Sequence, residues 1–112
     1  MRLLSGQRAW LLQRITAVYL GVFTVLMLGY FVFFPPADHA LWIAFVGHPV
    51  VGLLTALGVL ALLLHVWIGL RDVIMDYVHP FGIRLTVLIL SATGLLVLGL
   101  WAFAILFKAW LS

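Results

Sequence analysis

The chain has 112 residues, of which 67% are hydrophobic and 8% are charged, and its mean hydropathy of +1.32 excludes a soluble domain, because a fold of this size could not hide so much apolar surface from water. The net charge of +3 and the isoelectric point near 10.0 come from six basic residues that stand singly beside long apolar runs, which indicates membrane topology and not nucleic-acid binding. The absence of cysteine excludes disulfides, cysteine-ligated iron–sulfur clusters and covalently attached c-type haem.

The first predicted element is a membrane span over residues 15–34. This run is uncharged and has about the 20 residues that a helix needs to cross the hydrocarbon of a bilayer. Pro35 and Pro36 end it, because a helix does not continue through a pair of prolines. The run is too long for the apolar part of a signal peptide and lacks a small-residue cleavage site, so we expect it to remain attached.

Residues 35–48 connect the first span to the second. Their apolar part, Trp42–Val46, is too short to cross a bilayer, and we interpret it as a short helix that lies in the interface. A second span is predicted over residues 49–70, with Pro49 in the first turn, where a missing N–H costs little. A third span is predicted over residues 83–107.

Together these elements predict an all-α membrane protein: a bundle of three transmembrane helices that forms a single membrane-anchor domain over residues 1–112. No run alternates apolar and polar residues as a barrel strand does. Basic residues precede the first span and flank the second loop, so the positive-inside rule places the N-terminus in the cytoplasm. These residues are Arg2, Arg8, Arg14, Arg71 and Arg84, against Lys108 alone at the C-terminus. We assign no catalytic residue to the chain and expect it to serve a larger complex.

His65 is the outstanding polar residue inside a predicted span. At about 100° per residue it shares one helix face with Gly58, Ala61 and Gly69. A histidine on a stripe of small residues leaves a flat slot that suits a porphyrin, which makes His65 a candidate ligand of haem iron. The alternative is that the stripe packs against another helix and that the histidine makes a structural hydrogen bond across the helices. Periodicity alone does not decide between them.

A haem on His65 would need a second axial ligand. His39 and His48 belong to the opposite interface and His79 to the cytoplasmic loop, so none is expected at the depth of His65. Met27 is the one sulfur predicted near mid-membrane depth, but methionine more often fills gaps in packing. A haem with two histidine ligands therefore requires a second chain.

Arg14 opens the first span near the estimated depth of His65. Its guanidinium could form two hydrogen bonds with a carboxylate such as a haem propionate. The alternative is an interfacial anchor whose charge reaches the headgroups, and Arg71 and Arg84 share that alternative.

Asp76 and Tyr77 follow the second span on its cytoplasmic side. A tyrosine hydroxyl donates to a carbonyl oxygen and a neighbouring carboxylate relays protons, a pair that suits the reduction of a quinone. The eleven residues from His65 to Asp76 correspond to about 1,100°, so an extended helix would place both on one face, about 16 Å apart. The alternative is a solvated loop with an interfacial tyrosine.

The string His65-Val66-Trp67-Ile68-Gly69, followed by Asp76-Tyr77-Val78, reads H-x-W-x-G-x6-D-Y. With this motif, the opening Arg14-Ile15-Thr16-Ala17 of the first span and three spans over its length, the chain resembles the hydrophobic membrane anchor (D) subunit of bacterial succinate dehydrogenase, respiratory complex II. The sister cytochrome b subunit carries His-x3-Gly-x-Arg-His instead. Asp72 stands in the place of its last histidine, which favours the anchor subunit.

The resemblance implies roles for four residues. It implies that His65 is one axial ligand of a haem b whose other ligand comes from the cytochrome b subunit, and that Arg14 lies near the haem propionates. It also implies that the hydroxyl of Tyr77 binds a carbonyl of ubiquinone, with Asp76 beside it, near the iron–sulfur subunit.

The resemblance therefore implies a multi-pass subunit of the bacterial cytoplasmic (inner) membrane, working in electron transport and the tricarboxylic acid cycle. It would dock the flavoprotein and iron–sulfur subunits, which oxidise succinate. One alternative is the anchor of a fumarate reductase or another cytochrome b-type quinone oxidoreductase. Another is a haem-free assembly protein that uses its small residues only for packing. Asp72 and His79 match no family role.

Overall fold

The computed structural model describes residues 6–112, and these residues form four α-helices. The helices are α1 (Gly6–Phe33), α2 (His39–Val46), α3 (Pro49–Tyr77) and α4 (Phe81–Leu111). The described range contains no strand, which confirms the all-α prediction there. Arg2, which entered the topology prediction, lies outside the described residues.

The three predicted spans are confirmed as α1, α3 and α4, each long and apolar enough to cross a membrane. They have 28, 29 and 31 residues, or about 42–46 Å. The predicted bounds were too short because they were set by the thickness of the hydrocarbon. A helix continues until its backbone is interrupted, and α3 runs on through Arg71 and Asp72 and ends three residues before Pro80.

The central helix is α3, with α1 and α4 packed against it and α2 in contact with both α3 and α4. Consecutive spans run antiparallel along a long axis of 51 Å. The N-terminus of α1, the C-terminus of α3 and the N-terminus of α4 therefore share one end, which we name the α3–α4 end. The other end, which carries the short helix, is the α2 end.

Few side chains are enclosed by the chain itself. Ile68, in the second half of α3, is 1% exposed, whereas large apolar side chains such as Val25 (69%) and Phe33 (77%) face outward. The buried residues of the four helices are Ala9, Thr16, Gly58, Ile68, Ile74 and Gly99. The outer faces therefore need lipid or other membrane chains to cover them.

The α2 helix confirms the short helix predicted between the first two spans. The carboxylate of Asp38 accepts a hydrogen bond from the backbone N–H of Leu41 at 2.9 Å and so caps its first turn. At its other end, Gly47 lies against α4, where an added Cβ would collide with the backbone carbonyl of Ala109. Only a residue without a side chain allows this approach.

An aromatic cluster joins α1 to α2. It consists of Tyr30, Phe31, Phe34, Trp42 and Phe45. The rings of Tyr30 and Phe45 stack with centroids 4.4 Å apart, and those of Phe31 and Trp42 lie 5.4 Å apart. Such pairs add about 0.5–1.5 kcal/mol each beyond the burial of their area, so the cluster fixes α2 onto α1.

Candidate functional site

The small-residue face of α3 packs against α1. A Cβ added to Gly58 would contact the ring of Phe23 at 3.5 Å, and one added to Gly69 would lie 3.4 Å from the Nε2 atom of Gln13. The expectation that this stripe leaves a flat slot for a porphyrin is therefore wrong, because side chains of α1 fill it. The alternative, in which the stripe packs against another helix, describes this contact correctly. We name the contact between these faces of α1 and α3 the seam.

His65 lies in the same seam and makes a hydrogen bond across it. Its Nδ1 atom is 3.1 Å from the hydroxyl oxygen of Thr16 on α1. Thr16 is 5% exposed, whereas His65 is half-buried. The seam therefore holds one nitrogen of the imidazole without burying the residue completely.

The remaining histidines are far from this level. They are His39 and His48 at the α2 end and His79 in the turn between α3 and α4. Within residues 6–112, no group of three His, Asp or Glu side chains is placed to hold a metal ion. Met27 lines an apolar cavity of about 380 Å³ near the α2 end, about 16 Å along α1 from Thr16, which is too far for it to share a metal with His65.

Arg14 does not approach His65. It is two residues before Thr16, which places it about 160° around α1 from the side chain that contacts His65. The Arg14 side chain is exposed, and its guanidinium carbon lies 5.4 Å from the centre of the Trp10 ring, within the range of a cation–π interaction. Arg14 thus lies at about the depth of His65 but on a different face of α1.

Asp76 and Tyr77 form the last turn of α3. The extended helix that the spacing required is present, so Asp76 lies within about 20° of the face of His65 and about 16 Å along the axis. Both side chains are exposed, Tyr77 at 78%. Within the described residues neither makes a side-chain hydrogen bond or ion pair, so their polar groups face whatever lies beyond this chain.

Arg84, at the start of α4, holds the end of α3 in place. Its Nε atom donates to the backbone carbonyl of Val78 at 2.8 Å, and its Nη2 atom donates to the carbonyl of Met75 at 3.3 Å. These carbonyls belong to the end of a helix, where no further turn can satisfy them. The sequence favours an interfacial anchor at Arg84 and does not predict this clamp, for which the short connection through Pro80 was the available signal.

Arg71 and Asp72 form an ion pair between neighbouring residues at this end. Arg71 donates from Nη2 to the adjacent carboxylate of Asp72 at 3.2 Å, with the side chains 24% and 57% exposed. An exposed pair of this kind contributes little to stability.

Comparison with known proteins gives the family. A family model for the succinate dehydrogenase/fumarate reductase transmembrane subunit matches residues 1–106. The chain belongs to this family. It is also 32% identical over 104 residues to the succinate dehydrogenase hydrophobic membrane anchor subunit of Coxiella burnetii, covering 93% of this chain and 90% of that protein.

As a member of the succinate dehydrogenase/fumarate reductase transmembrane family with three long apolar helices, the chain is a multi-pass membrane protein. The bacterial inner membrane fits the source of the relative from Coxiella burnetii. Family membership also implies association with catalytic subunits, since a transmembrane subunit is one part of a larger enzyme.

Proposed function

We propose that the chain is the membrane anchor subunit of a succinate:quinone oxidoreductase. Its likeness to a succinate dehydrogenase anchor supports this role. The α3–α4 end would dock the iron–sulfur and flavoprotein subunits, on which succinate is oxidised. The exposed Asp76 and Tyr77 support that assignment, because they present polar groups outward at that end.

His65 is proposed as one axial ligand of a haem b shared with the cytochrome b subunit. The observation that carries the proposal is that α1 holds the Nδ1 atom of His65, at 3.1 Å from Thr16, while the residue stays only half-buried. The described part of the chain has no second histidine at this level, which fits a haem ligated by two subunits. When bound, the haem supplies a one-electron redox centre, and this chain holds and orients the imidazole.

The porphyrin would lie outside the seam between α1 and α3. Phe23 and Gln13 occupy the small-residue stripe, so the porphyrin would approach the half-buried His65 from outside that stripe. That side is where a second membrane subunit would pack, and the exposed apolar faces of the spans provide the surface for it.

Arg14 is proposed to bind a haem propionate. Its exposed guanidinium at the α3–α4 end supports this role, although its direction on α1 requires the propionate to reach around that helix. Removing a cation near the haem disfavours the reduced form, so Arg14→Leu should lower the midpoint potential. A redox titration of the assembled complex that overlays the parent would make Arg14 an interfacial anchor stacked on Trp10.

Tyr77 is proposed to donate a hydrogen bond to a carbonyl of ubiquinone, with the carboxylate of Asp76 beside it as a route for protons. A helix end at the membrane surface is wet enough to supply protons and apolar enough on its inner side for the quinone tail. The 78% exposure of Tyr77 leaves its hydroxyl accessible to a substrate held between this chain and its partners.

This arrangement requires a cytoplasmic N-terminus. Arg14, Arg71 and Arg84 lie at the α3–α4 end, as the positive-inside rule requires. Because the chain has no cysteine, Gln7→Cys and Ser112→Cys give single labelling sites at opposite ends. An impermeant thiol reagent added to intact spheroplasts should label position 112 and spare position 7, and the reverse pattern would invert the topology.

Replacement of the ligand tests the haem proposal directly. His65→Leu should remove or loosen the b-type haem of the purified complex, since the iron would lose one of its two axial ligands. The matched control is His39→Gln, an exposed histidine on α2. If His65→Leu keeps the haem content and reduced spectrum of that control, the haem assignment fails.

The haem-free assembly protein is the second candidate, because the packing of Gly58 and Gly69 on α1 is what it requires. A complex without a b-type absorption band would favour it. A fumarate reductase anchor fits the same family description. Turnover with succinate and ubiquinone, compared with turnover of fumarate and menaquinol, separates the two directions of the reaction.

A further inference from the structure

Thr16 is the one polar side chain that is buried among the described residues, at 5% exposure. Its hydroxyl oxygen lies 2.7 Å from the carbonyl of Leu12, 3.1 Å from the carbonyl of Gln13 and 3.1 Å from Nδ1 of His65. A hydroxyl has one proton and can donate it to only one of these three neighbours. The neighbour that receives it determines the tautomer of the His65 ring.

One placement of the hydroxyl proton of Thr16 gives the largest number of hydrogen bonds. The two carbonyls can accept but cannot donate, whereas a ring nitrogen of histidine can do either. If the Thr16 hydroxyl donates to Leu12, its shortest contact, its oxygen is free to accept a proton from Nδ1 of His65, and two hydrogen bonds form. If the hydroxyl instead donates to Nδ1, the contact to Leu12 carries no proton and one bond is lost.

The favoured arrangement has a consequence at the other ring nitrogen. A neutral imidazole carries one proton, so a proton on Nδ1 leaves Nε2 with a free lone pair. That lone pair is what a metal ion binds, and the partner of the remaining N–H sets the ring plane and the basicity of the ligand.

We propose that Thr16 is the positioning residue of His65: its hydroxyl accepts the Nδ1–H bond, fixes the tautomer with Nε2 as the ligand, and sets the plane of the imidazole toward the haem. The inference rests on the proposed role of His65 as a haem ligand and adds the group that prepares it. A neutral hydroxyl is a weaker acceptor than a carboxylate, so the imidazole would be a weaker electron donor to the iron and would favour its reduced form more than a carboxylate-bound imidazole would.

The test compares two variants of Thr16 in the purified complex. Thr16→Val keeps the shape and removes the acceptor, so haem affinity should fall about tenfold and the midpoint potential should rise, because the unbonded imidazole is a weaker donor. The electron paramagnetic resonance spectrum of the oxidised haem should also change, since it reports the ligand plane. Thr16→Ser keeps the hydroxyl and should restore parental values in all three measurements.

Thr55→Val is the matched control. Thr55 is also in a membrane helix and donates to a carbonyl of its own helix, Val51, at 2.7 Å, but it lies about 15 Å along α3 from His65. The same substitution there should leave haem affinity, potential and spectrum unchanged. If Thr55→Val shows the same changes as Thr16→Val, the Thr16 effect reflects general loosening of the helices and the proposal is overturned.

The outcomes separate this inference from the haem proposal. If His65→Leu loses the haem but Thr16→Val matches the parent, His65 is the ligand and Thr16 does not position it. If Thr16→Ser behaves like Thr16→Val, side-chain shape and not the hydroxyl is responsible, which also overturns the inference. If Thr16→Val fails to assemble, Thr16→Ala takes its place. Failure of both while Thr16→Ser assembles would make the hydroxyl a packing requirement and count against the proposal.

Discussion

At the α2 end, Tyr30 and Phe45 stack 4.4 Å apart, Asp38 caps the short helix, and Gly47 lets it close onto α4. At the α3–α4 end, Asp76 and Tyr77 leave the last turn of α3 exposed, without a side-chain hydrogen bond inside the described chain. One end is completed by its own contacts, and the other is left to be completed by partners. Substitutions at the two ends should therefore affect different properties of the complex.

Gly47→Ala should give the largest effect and act on stability alone. The new methyl group would meet the backbone carbonyl of Ala109, which cannot move away as a side chain does. We expect a loss of about 1–3 kcal/mol, seen as a lower thermal midpoint of the purified complex with normal quinone kinetics in the surviving fraction. Gly21→Ala is the control, because nothing lies within 4 Å of its added Cβ. If the two variants are equally stable, the close approach of Gly47 to Ala109 does not contribute to stability.

Arg84→Met tests the clamp at the α3–α4 end. It keeps the aliphatic stem and removes the donors to Val78 and Met75, at a cost of about 2 kcal/mol. The last turn of α3 should fray, so amide hydrogen exchange there should speed up and the KM for quinone should rise. Arg84→Lys, which retains one donor, should fall between the parent and Arg84→Met. Unchanged exchange in Arg84→Met would show that α3 ends stably without the clamp.

Tyr77→Phe should affect function and leave the fold intact. It deletes a neutral hydrogen bond worth about 0.5–1.5 kcal/mol, which corresponds to a roughly two- to tenfold loss in quinone reduction. Succinate oxidation by an artificial acceptor upstream of the quinone should persist. Tyr30→Phe makes the same chemical change in the aromatic cluster and should leave both assays unchanged. If Tyr77→Phe lowers both assays equally, the defect lies in docking.

Asp38→Ala should give the smallest effect, again on stability alone. Loss of the cap to Leu41 costs about 0.5–1 kcal/mol at an exposed site, and the aromatic cluster still holds α2. The thermal midpoint should fall slightly, and Asp38→Asn should recover it because the amide oxygen also accepts. A loss of quinone activity in Asp38→Ala would contradict the separation of the two ends.

The sequence predicted the elements that depend on local pattern. Length and apolarity identified the three spans, and the apolar run Trp42–Val46 identified α2. The helical spacing of Asp76 from His65 was also predictable, because it depends only on one continuous helix. The bounds were less accurate, since the thickness of the hydrocarbon does not determine where a helix backbone stops.

The contacts between helices were not predictable in the same way. The stripe around Gly58 can receive either a porphyrin or another helix, and its sequence is the same in both cases. The choice depends on the register of α1, which brings Phe23 to Gly58 and Thr16 to His65. Thr16 was visible only as part of a motif, because no local pattern shows which residue of another helix it faces.

The central position of α3 has a consequence for biogenesis. Its two neighbouring spans are the ones that precede and follow it in the chain, so the hairpin of α1 and α3 can form before α4 has left the ribosome. Thr16 is therefore already in the bilayer when His65 arrives, so this intramembrane polar side chain meets its hydrogen-bond partner during insertion. Synthesis in the order of the chain therefore protects the imidazole from bare lipid during insertion.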